Sequence, residues 1–115
     1  MLIRSQDKEM IINMAATNHI YVREVYRPSG NLIDISSDEM RLGYYSTKEK
    51  AMKVLDMIQE AYGDLEYTKY VIPEVCRILS IKPKTEENKA HAGELGEMLK
   101  KGMTFQMPED SEVEV

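Results

Sequence analysis

The sequence predicts an α+β fold, an antiparallel β-meander of four to five strands packed with a long helix, a helical insert and a short C-terminal strand. Three observations predict it. The first 46 residues carry apolar and β-branched runs separated by turn signals. A helix-start signal at Ser46-Thr47-Lys48-Glu49 is followed by apolar residues at helical spacing. The chain then returns to a strand-like run at Met103-Thr104-Phe105-Gln106-Met107, closed by Pro108.

Each element follows from its residues. Met1–Ser5 and Glu9–Asn13 read as strands joined by a turn at Gln6-Asp7-Lys8. His19 to Tyr26 is rich in β-branched and aromatic residues that fit a pleated surface. Pro28-Ser29-Gly30-Asn31 is a turn, because proline fixes φ and glycine permits positive φ. Leu32–Ser36 returns as the partner strand, Ser37-Asp38-Glu39 turns again, and Met40–Tyr45 forms the next strand. Ser46 with Glu49 reads as a capping box. Ala51, Val54, Leu55, Ile58, Ala61 and Tyr62 then mark a helix over about 47–62, with Gly63 placed for a left-handed cap.

Residues 64–102 read as a helical insert. One helix starts near Pro73, where proline is tolerated in a first turn. Ile81-Lys82-Pro83-Lys84 breaks the chain, and Thr85 caps a further helix running to about Lys101 and stopping at Gly102. Gly93 and Gly96 weaken that helix by roughly 1 kcal/mol each relative to alanine. Such a helix depends on packing, against the body or another subunit. Residues 1–108 are thus one α+β domain, and 109–115 an acidic flexible tail.

Composition narrows the function. The chain has 115 residues, 43% hydrophobic and 30% charged, within the range of globular domains. No apolar run approaches the roughly 18–20 residues of a membrane span, and a single cysteine, Cys76, forms no internal disulfide. The expectation is a cytoplasmic protein without membrane contact. The net charge of −5 comes largely from Glu109, Asp110, Glu112 and Glu114; without those four the balance is 15 basic against 16 acidic residues. A near-neutral body disfavours duplex nucleic acid, whose backbone demands a basic stripe.

Chemistry-bearing motifs are absent. His19, His91 and Cys76 have no metal-ligand spacing. There is no phosphate-cradling glycine loop and no zincin or kinase motif. Cys76 falls on an apolar helical stripe and reads as a small hydrophobe. The expectation is a non-enzyme with no catalytic residues, no metal and no cofactor.

Arginine is segregated. Arg4, Arg23, Arg27 and Arg41 lie in the first 46 residues, leaving only Arg77 beyond them, whereas all lysines but Lys8 follow. Strand parity puts Tyr21, Arg23, Val25 and Arg27 on one face, and sets Arg41, Gly43 and Tyr45 against Met40, Leu42 and Tyr44. Such a face is either an ordinary solvated sheet surface or a place where guanidinium groups hold phosphate and rings stack on a base. The many tyrosines and methionines also suit a subunit interface.

Three stretches carry a resemblance: Met1-Leu2-Ile3-Arg4-Ser5-Gln6-Asp7-Lys8, Leu42-Gly43-Tyr44-Tyr45-Ser46-Thr47-Lys48-Glu49-Lys50-Ala51, and Phe105-Gln106-Met107-Pro108-Glu109. They resemble small proteins of phages and mobile elements of Gram-positive bacteria. In size and layout the chain is similar to the Thoeris anti-defence sponges, which hold cyclic ADP-ribose isomers uncleaved, some also binding cyclic oligonucleotides. The resemblance covers about residues 1–62 and 103–110, and leaves 64–102 unmatched. It implies a homo-oligomer, a dimer or dimer-based hexamer, that sequesters a nucleotide immune messenger in the host cytoplasm. It also implies a site of arginines, a stacking aromatic ring and an asparagine. By residue type and placement these are Tyr21, Arg23, Arg27, Arg41, Asn88 and Phe105. The alternative is a protein–protein inhibitor or regulator from a mobile element, acting on a host defence protein.

Overall fold

A computed structural model describes residues 1–38, 40–81 and 85–115. In chain order the elements are β1 (Leu2–Arg4), β2 (Ile11–Asn13), β3 (Ile20–Val25), β4 (Leu32–Ser37), β5 (Met40–Tyr45), α1 (Lys48–Ser80), α2 (Glu86–Gly102) and β6 (Thr104–Gln106). Short 3₁₀ turns occupy Met14–Ala16 and Asp110–Glu112.

The class is α+β, with a long helix packed on a sheet. The strands do not form one meander. They divide into two three-stranded sheets, ordered β2-β1-β6 and β3-β4-β5. β6 sits at an edge and runs parallel to β1, pairing Ile3 with Phe105. Parallel neighbours need a long crossover, and here everything from β2 to α2 supplies it. Gln6 ties the sheets together. Its Oε1 accepts the Tyr44 amide at 2.9 Å, and its Nε2 donates to the carbonyls of Tyr44 and Pro108 at 3.0 and 3.1 Å. A Cβ at Gly43 would lie 3.1 Å from the Gln6 Cβ, so glycine there admits the bridge.

One core serves both sheets. Ile3 from the first and Ile35, Leu42 and Tyr45 from the second pack with Ala51, Val54 and Ile58 of α1. Met107 and Val113 complete it. The end expected to be a flexible tail is therefore folded back: Val113 is buried, and Asp110 accepts the Ser46 amide at 2.7 Å and the Lys50 ammonium at 3.5 Å.

The first helix is longer than its sequence signals. Its N-cap is Thr47, one residue after the expected Ser46, with the Thr47 hydroxyl accepting the Lys50 amide at 3.2 Å. It then runs 33 residues, through Gly63 and Pro73, where a cap and a new helix start were expected. Helical φ suits both residues; Pro73 forgoes one backbone hydrogen bond and crowds the carbonyl one turn earlier, and the second half of the helix is braced by α2. Thr85 caps α2 as expected, accepting the Asn88 amide at 3.1 Å. The expected break at Ile81-Lys82-Pro83-Lys84 and the turn at Ser37-Asp38-Glu39 fall partly outside the described residues, at 82–84 and 39.

Candidate functional site: an arginine and tyrosine face around Asp34

The face of β3-β4-β5 that carries Asp34 is built by cross-strand pairing. Arg23 pairs with Asp34 and Tyr21 with Ser36 between β3 and β4. Between β4 and β5, Tyr44 pairs with Asp34 and Arg41 with Ser36. Directly opposed residues project to the same side, so Tyr21, Arg23, Asp34, Ser36, Arg41 and Tyr44 share one surface. A bulge between Ile35 and Ser36 makes this possible, since Leu42 is the extra residue on β5. Simple alternation groups Arg41 with Tyr45; the bulge instead sends Tyr45 into the core and brings Tyr44 beside Arg41.

Asp34 is fully buried beneath two guanidinium groups. Arg23 donates Nε and Nη2 to its two oxygens at 3.3 and 3.0 Å, the bidentate fork that arginine geometry favours. Arg41 donates Nε at 2.8 Å, and the Ser36 hydroxyl donates at 2.9 Å. Burial pushes the carboxyl pKa up, but the hydrogen bonds from Arg23, Arg41 and Ser36 outweigh it and hold the group below the ordinary carboxylate range. The hydrogen bond to Asp34, and then its charge, raise the already high pKa of Arg23 further.

Around this anchor the surface is cationic and aromatic. The Arg41 guanidinium lies over the Tyr44 ring, its carbon 4.3 Å from the centroid, and also donates to the Tyr44 hydroxyl. Arg27 reaches the same hydroxyl at 3.5 Å. Tyr21 packs its ring 5.1 Å from that of His19. His19 also lines a small cavity of about 290 Å³, together with Met14, Asn18, Leu55, Gln59 and Tyr62. Three guanidinium groups thus stand against one carboxylate, leaving two positive charges uncompensated within the group. Arg23 and Arg41 keep 39% and 33% of their side chains exposed, so unused N–H groups face outward.

Four of the expected site residues, Tyr21, Arg23, Arg27 and Arg41, therefore come together. Asn88 and Phe105 do not join them. Asn88 lies in the first turn of α2, and Phe105 packs on the core from the other sheet. Phe105 pairs with Ile3 in the centre of that sheet, so its ring serves packing. Sequence reasoning missed Asp34 and Tyr44. Asp34 had a signal, a single carboxylate between Ile33 and Ile35; Tyr44 had only an indirect one, the strand glycine Gly43, because its facing depends on the bulge. Cys76, read as part of an apolar stripe, is exposed on α1.

Among the described residues there is no group of three His, Cys, Asp or Glu placed to hold a metal ion. None of the described helices is long and apolar enough to cross a membrane. Comparison with protein-family models, curated proteins and solved structures finds no match.

Proposed function

We propose that this protein binds an anionic nucleotide messenger on the Arg23–Arg27–Arg41 face and sequesters it, uncleaved, in the cytoplasm of the cell in which it is made. One observation carries the reading: three strands and a bulge gather three arginines and two tyrosines around a single buried carboxylate. Asp34 fixes the Arg23 and Arg41 forks in place, so less rotamer entropy is lost when their outward N–H groups meet a phosphate. Tyr21 and the Tyr44–Arg41 pair offer flat surfaces to a base. Sequestration works by mass action, lowering the free messenger below what its receptor needs. The cyclic ADP-ribose isomers and the cyclic di- and trinucleotides are the first ligands to try, on the family resemblance, and a homo-oligomer belongs to the same reading.

Titration calorimetry tests it. Arg27 lies outside the Asp34 ion pairs, so Arg27→Ala leaves the anchor intact. It is expected to weaken binding about tenfold, about 1.4 kcal/mol. Added salt weakens a surface phosphate contact in the same direction. The ligand is expected back intact after long incubation and denaturation. No heat with any of these nucleotides overturns the reading, and a cleaved ligand converts it into an enzyme.

A further inference from the structure

Beyond Leu65 the long helix leaves the body and runs beside α2 as an arm. α2 buries none of its residues, and α1 buries none after Leu65. Helices in water take most of their stability from covering an amphipathic face, so this pair is an incomplete layer. One side of it is apolar and grooved. Along α1 and its C-cap, Tyr67, Val71, Glu74, Ile78 and Ile81 recur at alternating steps of four and three, the spacing of a coiled-coil seam. Tyr67 and Ile81 are 71% and 77% exposed. Tyr67 and Val71 line a groove of about 560 Å³ whose opposite wall includes Leu95, Met98 and Lys101.

We infer that a second copy of the same arm covers this groove, running antiparallel and closing a four-helix bundle. The charge along α2 selects that occupant. Glu86 and Glu87 open the helix and Lys100 and Lys101 close it. The same alternating step on α2 runs through Glu87, His91, Glu94, Met98 and Lys101, of which Met98 and Lys101 line the groove. An antiparallel copy sets the Glu87 end of one α2 against the Lys101 end of the other, and two-fold symmetry makes the contact twice. A second copy laid antiparallel carries the complementary gradient by construction. Glu74, central in the α1 seam, brings its own counterion, with Arg77 Nη2 at 2.5 Å. Antiparallel hairpin pairs of this kind bury their seams as bundles with short connections.

The inference deepens the homo-oligomer part of the proposed function and rests on that reading there, but it uses no residue of the arginine face, so nucleotide binding and arm dimerisation fail separately. Sedimentation equilibrium on the full chain tests it. The wild type is expected to be a dimer, and Met98→Lys to weaken dimerisation at least tenfold while the β-sheet circular dichroism stays unchanged. Charge exchange guards against a variant that merely unfolds the arm. Glu86→Lys with Glu87→Lys in one chain, and Lys100→Glu with Lys101→Glu in another, each weaken self-association. Mixed, the two form a heterodimer tighter than either homodimer. A wild type that stays monomeric as concentration rises overturns the inference, as does a dimer indifferent to Met98→Lys or a mixture that gains nothing.

Discussion

Asp34 decides whether the arginine face exists at all. Its oxygens accept four hydrogen bonds, two from Arg23 and one each from Arg41 and Ser36. Asp34→Asn keeps the size but removes the charge that two half-exposed guanidinium groups satisfy. It also presents an amide N–H₂ to the Arg23 and Arg41 guanidinium groups, which only donate. Because the arginines can turn to water, the expected cost is about 1–3 kcal/mol, read as a lower urea midpoint at unchanged slope. The pH dependence has a definite sign. The folded carboxyl titrates below its unfolded value, so its stabilisation is complete above the unfolded pKa of about 4 and is lost as pH falls through the folded pKa. The stability gap between wild type and Asp34→Asn should therefore close on acidification below about pH 4, and a gap that widens there would refute the assignment.

At the scale of elements, the legible parts are those set by local chemistry. The Pro28–Asn31 turn is present, with the Gly30 amide bonded to the Arg27 carbonyl and Gly30 at φ 126°. Thr85 caps α2 through its own hydroxyl. What was not legible depends on distant partners. Pro73 and Gly63 weaken a helix by local rules, yet α1 passes through both because its first half is fixed by the core and its second by α2. The β5 bulge, which trades Tyr45 for Tyr44 on the arginine face, is marked in Met40–Tyr45 only by Gly43, a residue type that signals a bulge or a close backbone approach without fixing which. The C-terminal segment reads as a polar tail because four of its seven residues are acidic, yet Val113 fills a gap in the core and the Asp110 carboxylate caps the Ser46 amide. Truncation after Pro108 removes both, and should cost about 2–3 kcal/mol. In the full chain Val113→Ala should reproduce the apolar part of that loss and Asp110→Ala the polar part, measured by urea unfolding; a truncated chain as stable as the full one would return these residues to the role of a tail.

The whole molecule is long for its size. Its Cα radius of gyration is 18.2 Å and its extents are 67 × 27 × 22 Å, against about 13 Å for a compact domain of roughly 100 residues. A helix of 33 residues is about 50 Å long, so α1 belongs to the body at one end and to the arm at the other. Stability then divides along it. The body holds every member of the core cluster, while the arm rests on half-buried contacts between two helices. Amide hydrogen exchange reads this division directly, since local opening free energies run from near zero up to the global value. Amides of β4, β5 and 51–58 are expected to exchange only with global unfolding. Those of α2 and of α1 beyond Leu65 should exchange faster in dilute protein by local opening, because little apolar area resists it. Dimerisation through the arm adds a term that grows with protein concentration. Protection over 86–102 should therefore rise as the sample is concentrated while that of β4 stays fixed. Protection of α2 equal to that of β4 at every dilution would mean that the two helices alone bury enough to stand, and that the exposed seam of Tyr67, Ile78 and Ile81 is not what limits the arm.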